Sequence, residues 1–265
     1  MQEVPPSLSE FAERELRGRL MQLFSRHVSA KIADEVWRQR DVFFHKGRPL
    51  SERLTATVLF LDMKGYSGRA EKMDPEQLME WVNEFMETMA RKVDAFGGVV
   101  DDYFGDGLKA NFGVPFARAN EAEIADDARR AVSCALAMGT ALESLNADYR
   151  ERGLPNVAMR IGIHTGPVVA GSVGSAERLK YTVVGDVVIT AQRLESTDRV
   201  AHDFERTPCR ILASEATRRH LDGSFRCESQ GFVPLKGKQE EVAVYRVVGR
   251  ESAAAPGSES ESVGS

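Results

Sequence analysis

The feature that most constrains this fold is an alternation of segments between Thr55 and His164. The sequence there predicts a strand, a helix, two strands, a helix and a strand. The run TATVLFL is typical of a buried strand, and Gly105-Asp106-Gly107 indicates a hairpin between the second and third strands. This order predicts an α+β domain with a ferredoxin-like βαββαβ core and both helices on one face of the sheet. The predicted segments are 55–61, 75–96, 99–104, 108–112, 121–150 and 157–164.

The two ends of the chain differ from this central part. From Leu8 to Phe44 apolar residues recur at helical spacing, so we predict an N-terminal helical extension over residues 1–52. This extension is either a dimerising or signal-transmitting helix pair or a helix that packs on the main body. Residues 249–265 are small, polar and nearly non-aromatic, which predicts a disordered tail.

Composition excludes several classes of protein. The chain has 35 basic and 40 acidic residues and a net charge of −5, which argues against a nucleic-acid partner or a polybasic membrane-surface protein. No run approaches the roughly 18 apolar residues of a membrane span. The three cysteines are an odd number without metal-ligand spacing, which is typical of free thiols. We therefore predict a cytoplasmic protein with no nucleic-acid or membrane partner.

The predicted topology brings two distant carboxylates together. The first and third strands of a ferredoxin-like sheet are antiparallel neighbours, so Asp62 would lie beside Asp106. Two close carboxylates repel each other unless a cation lies between them, and a hard divalent ion such as Mg²⁺ or Mn²⁺ suits oxygen ligands. The alternative is two ordinary turn aspartates. The loop Met63–Ser67, whose backbone N–H groups could bind phosphate, favours the metal site.

Four sequence blocks, in this order and spacing, resemble the class III nucleotide cyclases: FLDMKGYS, GGVVDDYFGDGLKANFG, MRIGIHTGPVVAGSVGS and YTVVGDVVITAQRLE. The resemblance covers residues 53–248, which we predict to be the cyclase domain, with extra C-terminal strands added to the core. It also includes LKGK, from Leu235 to Lys238, before the last predicted strand. Because cyclases of this class are dimers with active sites at the subunit interface, the resemblance implies a homodimer.

The resemblance also implies a reaction, in which the ribose 3′-hydroxyl of a ribonucleoside triphosphate attacks the α-phosphorus and expels pyrophosphate. Asp62 and Asp106, with the backbone carbonyl of Met63, would bind two divalent ions, Mg²⁺ or Mn²⁺, in each active site. Arg193 would reach the reacting phosphate from the other subunit and stabilise its developing charge. The residues expected to contact the substrate are Gly65, Tyr66, Asp102, Thr182, Ile189 and Lys236 or Lys238.

One departure from the family pattern concerns the base. Adenylyl cyclases of this class place an adenine-binding lysine four residues before the second metal aspartate, where this chain has Asp102, and the partner of that lysine is here Thr182. An ionised carboxylate accepts hydrogen bonds but cannot donate them, so it would leave the ring nitrogens of adenine unpaired. We therefore predict a base other than adenine. If Asp102 instead faces solvent outside the pocket, an adenylyl cyclase with an atypical base pocket is the alternative.

Guanine and the pyrimidines both offer donors to a carboxylate. Aspartate is one methylene shorter than the glutamate typical of guanylyl cyclases. The stand-alone layout is similar to that of the pyrimidine cyclases of the bacterial Pycsar antiphage systems, in which a cyclic-nucleotide-binding effector would act downstream. These signals favour UTP or CTP slightly over GTP and suggest a role in antiviral defence.

A second departure concerns catalysis itself. Ile189 stands where the family places a transition-state asparagine, four residues before Arg193 on the same helix face. Loss of such an amide reduces turnover by about 10²–10³. A catalytically degenerate nucleotide-binding or dimerisation module is therefore a second hypothesis, and the retained Asp62, Asp106 and Arg193 argue against it. His164 is predicted to be structural. Gly166, Gly171 and Gly174 are predicted to turn the chain and contribute to the dimer contact.

Overall fold

The computed structural model describes residues 37–38, 44–45, 48–49, 51–175 and 179–251. Within these ranges there are ten strands and five helices, and Trp37–Arg38 are also helical. The strands are β1 Phe44–His45, β2 Arg48–Pro49, β3 Glu52–Lys64, β4 Val99–Phe104, β5 Gly107–Phe112, β6 Ala158–Gly174, β7 Leu179–Val184, β8 Cys209–Ser214, β9 Phe225–Val233 and β10 Val242–Arg250. The helices are α1 Tyr66–Ala70, α2 Pro75–Ala95, α3 Glu121–Glu151, α4 Asp186–Ser196 and α5 Glu215–Arg218.

The main sheet contains the predicted βαββαβ core. Its strand order is β4-β5-β3-β6-β8-β10-β9, and β7 pairs with β6 outside this path. The first four of these strands follow the ferredoxin-like order, with β3 antiparallel to both β5 and β6. The predicted α+β fold with extra C-terminal strands is therefore confirmed.

Helices α2 and α3 pack on one face of this sheet, as predicted. The side chain of Asp74 caps α2 by accepting hydrogen bonds from the backbone N–H groups of Glu76 and Gln77, at 3.0 and 3.3 Å, and proline occupies the first helical position. Alternate β3 residues, Leu59, Leu61 and Met63, share a buried cluster with α2 and α3. The resulting core holds the ends of β3 and β5 in place.

The opposite face of the sheet is covered by α4. Helix α4 contacts both β6 and β3, and its Val187 and Ala191 join a second buried cluster with the other set of alternate β3 residues, Leu54, Ala56, Val58 and Phe60. Gly162 of β6 allows this close approach, because a Cβ there would lie 2.3 Å from the carbonyl oxygen of Ala191. Helix α4, which carries Arg193, is therefore held firmly against the sheet.

One expectation about the chain path is wrong. Strand β6 was expected to end at His164 and continues to Gly174, so Gly166 and Gly171 lie inside a strand and do not turn the chain. Beyond His164, residues 165–170 of β6 still pair with β3 in the main sheet, and residues 169–174 pair with β7. At the C-terminal end of the predicted helical extension, Phe44–His45 and Arg48–Pro49 form a short antiparallel ladder. The earlier part of that extension, except Trp37–Arg38, and the tail after residue 251 lie outside the described residues.

None of the helices in the described ranges has the length and apolar character needed to cross a bilayer.

Candidate active site

Two carboxylates meet where neighbouring strands end. Asp62 lies near the end of β3 in register with Gly107, the first residue of β5, and Asp106 is in the turn just before it. The backbone N–H of Met63 donates a hydrogen bond to the carbonyl oxygen of Asp106 at 3.3 Å. Burial, and next the negative charge of Asp62, raise the pKa of the Asp106 carboxyl above its ordinary value. The structure therefore brings the two predicted carboxylates together.

Arg160 links this acid pair to α4. Arg160 is in register with Asp62 on β6, and its Nη2 lies 2.6 Å from Asp62 Oδ2. On its other side, Arg160 Nε lies 3.0 Å from Oε1 of Glu195. Burial, and next the charge of Asp62, raise the pKa of Glu195 to about 7. Asp62 and Glu195 therefore share one guanidinium, and Asp198 lies 3.8 Å from its Nη1.

The donors at this place fit a divalent cation. Carboxylate and backbone carbonyl oxygens are the ligands that Mg²⁺ and Mn²⁺ prefer, and the negative charge of Asp62 adds to burial in raising the pKa of Asp106. The side chain of Met63 is buried, so the group of this residue that could bind a cation is its backbone carbonyl. Residues 51–175 and 179–251 contain no group of three or more His, Cys, Asp or Glu arranged for a metal. Further ligands would therefore be water or substrate oxygens.

A second part of the site is cationic. Arg193 and Lys236 line the same open cavity of about 600 Å³, which Arg199 also lines. Nε of Arg193 is buried and has no hydrogen-bond partner among the described residues. Lys238 points elsewhere and forms an ion pair with Asp186. The structure therefore places Lys236, but not Lys238, in the cavity with Arg193.

The acid pair and the cationic cavity of one chain do not face each other. Glu195 points into the sheet toward Arg160, whereas Arg193, two residues earlier on α4, lies about 200° around the helix from it. Arg193 therefore points away from the acids of its own chain. Ile189, one turn before Arg193, is 49% exposed.

A bulge in β4 decides where its two acids point. Val100 pairs with Ala110 and Asp102 pairs with Lys109, so Asp101 is an extra residue between them. As a result Asp101 and Asp102 both lie opposite Lys109, instead of on alternate faces.

In this arrangement Thr182 contacts Asp101, and Asp102 contacts Lys180. Asp101 accepts a hydrogen bond from the hydroxyl of Thr182 at 2.8 Å, whereas Asp102 pairs with Lys180 at 2.7 Å. Asp102 lies at the edge of the same polar cluster, with its side chain 53% exposed.

The remaining sequence candidates lie close to the acid pair. Gly65 follows β3 with a φ of 75°, a left-handed conformation that glycine adopts without strain, and Tyr66 begins α1. Gly65 and Tyr66 therefore lie three and four residues after Asp62, where the chain leaves the sheet.

His164 lies away from both parts of the site. Its Nδ1 is 2.6 Å from the hydroxyl oxygen of Ser214. Burial, and next the positive charge of Lys238, lower the pKa of His164 to about 4. This environment is that of a neutral structural histidine.

A pH-dependent stability follows for His164. The folded pKa is about 4 and the unfolded value about 6.5, so the unfolded state binds more protons between these two pH values. The stabilisation is fully present above about pH 6.5 and is lost as the pH falls toward 4. We expect the difference in unfolding free energy between the wild type and His164→Gln to shrink by up to about 3 kcal/mol over this range. Urea unfolding at stepped pH measures it, and the difference cancels groups such as Glu195 that titrate in both proteins.

Sequence comparison identifies the class of protein to which this fold and site belong. Residues 51–249 match the family described as Adenylate and Guanylate cyclase catalytic domain. Since the match covers most of the chain, the protein belongs to the class III nucleotide cyclases.

Individual relatives agree with this family. The chain is 33% identical to Adenylate cyclase 1 of Rhizobium meliloti over 205 residues, 77% of this chain and 29% of the relative. It is 31% identical to Adenylate cyclase of Anabaena cylindrica over 234 residues, 84% of this chain and 42% of the relative. The chain therefore spans less than half the length of these curated relatives.

Solved structures show the same fold. The adenylyl cyclase CyaB from P. aeruginosa superposes with a TM-score of 0.68 at 29% identity, over 78% of this chain and all of that one. The guanylyl cyclase Cya2 superposes with a TM-score of 0.67 at 31% identity, over 77% of this chain and 96% of that one. One of these neighbours is named for adenine and the other for guanine, so the fold does not decide the base.

Sequence reasoning missed several side chains of this site. Arg160 lies within the quoted MRIGIH block, and strand pairing alone would have placed it beside Asp62. The sequence does not indicate that Asp101, Lys109 and Lys180 lie close together. Their proximity depends on the bulge in β4 and on the pairing of β7 with β6.

Proposed function

We propose that this chain converts a ribonucleoside triphosphate to a 3′,5′-cyclic nucleotide and pyrophosphate. The observation that carries the proposal is the placement of Asp62 against Asp106, which gives a member of this family an acidic pair suited to cations. Asp62, Asp106 and the backbone carbonyl of Met63 would hold two divalent ions, Mg²⁺ or Mn²⁺. When bound, such ions lower the pKa of the attacking hydroxyl and neutralise charge on the phosphates.

The side chains of the protein have separate tasks in this reaction. Arg193 would donate hydrogen bonds to the phosphoryl oxygens as their negative charge develops. Lys236, in the same cavity, would hold the terminal phosphates. The backbone N–H groups of Gly65 and Tyr66 would contact the phosphates from the acidic side. Arg160 would keep the carboxylate of Asp62 oriented.

A homodimer would complete the site. Because Arg193 points away from the acid pair of its own chain, a second copy is needed to bring a guanidinium opposite those acids. Val169, Val173 and Val184 are exposed on β6 and β7 and Ile189 is exposed on α4, and a second copy would cover some of these apolar side chains.

The two lysines of the LKGK segment should behave differently. Lys236 lines the cavity with Arg193, whereas Lys238 is paired with Asp186. We expect Lys236→Gln to raise the KM for the triphosphate by roughly tenfold, since a charge-assisted phosphate contact contributes about 1.5–3 kcal/mol. Lys238→Gln is the matched control and should change KM by less than about threefold. Steady-state kinetics with inorganic pyrophosphate release as the readout compares them, and equal effects would contradict the assignment.

The base is proposed to be other than adenine, because Asp102 can only accept hydrogen bonds and lies at the edge of the cluster that contains Thr182. Guanine and uracil have a ring N–H that can donate to it, whereas the ring nitrogens of adenine only accept. An antiviral role and a downstream effector stay predictions.

The experiment that tests the proposed function incubates the full chain with Mg²⁺ or Mn²⁺ and an equimolar mixture of the four ribonucleoside triphosphates. We expect one cyclic nucleotide to dominate, with an equal amount of pyrophosphate, as identified by mass. The exposed Ile189 provides no amide for the transition state, which favours the second candidate, a degenerate binding module. Absence of both products with either metal would support that module.

A further inference from the structure

We propose that the base is guanine and that the buried ion pair between Lys109 and Asp101 positions Thr182 to recognise it. This inference rests on the proposed function, which places the base against Asp102 and Thr182. It adds three residues, Asp101, Lys109 and Lys180, that set base specificity without taking part in the chemistry.

The ion pair is unusual in its burial. Lys109 is 7% and Asp101 4% exposed, and Lys109 Nζ lies 2.5 Å from Asp101 Oδ2. Lys109 Nζ also donates to the carbonyl oxygen of Val183 at 3.2 Å. A buried ion pair adds little to stability, because the cost of removing both charges from water offsets their attraction. A positioning role explains a pair at this place better than a contribution to folding.

The pair determines what the Thr182 hydroxyl can offer. A carboxylate only accepts, so in the 2.8 Å contact with Asp101 the hydroxyl of Thr182 must be the donor. An ammonium only donates, so in the 3.3 Å contact with Lys109 the hydroxyl accepts. The hydroxyl proton is therefore committed to Asp101. The remaining lone pair of Thr182 can only accept a hydrogen bond from a ligand.

A donor and a second acceptor lie next to this hydroxyl. Lys180 and Thr182 are two residues apart on β7, so they are on the same face of the strand, about 7 Å apart along it. Lys180 Nζ lies 2.7 Å from Asp102 Oδ2, and both side chains are partly exposed and open to a ligand. The cluster therefore presents one donor, Lys180, and two acceptors, Asp102 and Thr182.

Guanine has the complementary edge. Its O6 accepts, while its N1–H and N2–H₂ groups donate, so one acceptor and two donor groups match the cluster. Adenine and cytosine each offer a single amino donor beside ring acceptors, and uracil offers a single N–H between two carbonyls. Each of these would leave a polar group of the pocket or the base unpaired. Such a mismatch reduces kcat/KM by roughly tenfold to a hundredfold.

The first measurement is kcat/KM of the wild type for each of the four triphosphates separately. We expect the value for GTP to exceed the other three by at least about tenfold. A higher value for ATP, CTP or UTP overturns the assignment of guanine.

The second measurement separates positioning from folding. The double variant Asp101→Asn/Lys109→Met removes both charges without leaving one unpaired, and its amide can donate or accept, so the Thr182 hydroxyl is no longer committed. We expect the ratio of kcat/KM for GTP to that for UTP to fall about tenfold. Arg246→Gln, which removes an exposed pair with Glu228 at the far edge of the sheet, is the control and should keep the wild-type ratio. An unchanged ratio, or an equal loss for all four substrates, overturns the positioning role.

Variants of Thr182 keep the inference testable if the double variant does not fold. Thr182→Val keeps the shape and removes the hydroxyl, so it should lose the same selectivity, whereas Thr182→Ser should keep it. Wild-type selectivity in Thr182→Val also overturns the inference. If the wild type is active and the variants keep its ratio of kcat/KM for GTP to that for UTP, only this inference is overturned. If the wild type forms no cyclic product, the proposed function and this inference are both overturned.

Discussion

Exchanging Asp62 or Asp106 for asparagine is expected to lower cyclic-nucleotide formation by roughly a thousandfold or more for every substrate. Asparagine keeps the shape of the side chain but removes the charge that holds a divalent ion, and with it several kcal/mol of transition-state stabilisation. Product formation at saturating Mn²⁺, followed by mass, measures the effect.

The matched control for these variants is Asp94→Asn, the same change on the exposed face of α2, which should keep full activity. Asp62→Asn also takes one partner from Arg160, so thermal unfolding of each variant should accompany the assay. A folded Asp62→Asn protein with turnover near that of the wild type would contradict the assignment of the acid pair.

Two inactive variants should restore activity to each other. Asp62→Asn lacks a complete acid pair and Arg193→Met lacks the guanidinium, so each homodimer has two defective sites. In a mixed dimer both changes fall in one site and the other site is intact. Random exchange of subunits makes about half of the dimers mixed, so we expect about a quarter of wild-type activity.

The control for this mixing experiment pairs Asp62→Asn with Asp106→Asn. Both changes affect the same half of the site, so every site in a mixed dimer keeps one defect and activity should stay absent. Native mass spectrometry shows whether mixed dimers have formed. Mixed dimers without recovered activity, or recovery in the control mixture, would contradict a site shared between two chains.

The two experiments answer different questions about the chain. Loss of product in Asp62→Asn shows that the acid pair is needed. Recovery in the mixture shows that Arg193 works across the interface, as its direction on α4 suggests. Together they decide between an enzyme and the degenerate module that Ile189 leaves open.

Much of the site could be predicted because it depends on strand order. The βαββαβ pattern makes β3 and β5 neighbours, and this brings Asp62 and Asp106 together whatever their separation in the chain. The choice between Lys236 and Lys238 could not be made in this way. These lysines are two residues apart in an irregular segment, and contacts with the rest of the chain decide which one faces the cavity.

The contacts around Asp102 and Thr182 could not be predicted from the sequence for a related reason. Sequence spacing assigned the family lysine position to Asp102 and its partner to Thr182, but gave no reason to consider Asp101. One extra residue in β4 turns Asp101 toward Thr182 and leaves Asp102 beside Lys180. A bulge changes the direction of side chains without changing the hydrophobic pattern, so periodicity cannot reveal it.

The sequence by itself indicated the family, through four motif blocks that resemble it. It also determined the order of strands and helices and the meeting of the two acids, because these follow from hydrophobic periodicity and local capping. The tertiary structure alone decided the length of β6, the partners of Arg160 and the buried contact of Lys109 with Asp101. Such contacts join residues that lie far apart or at a bulge, and their energies depend on burial, which no local pattern encodes.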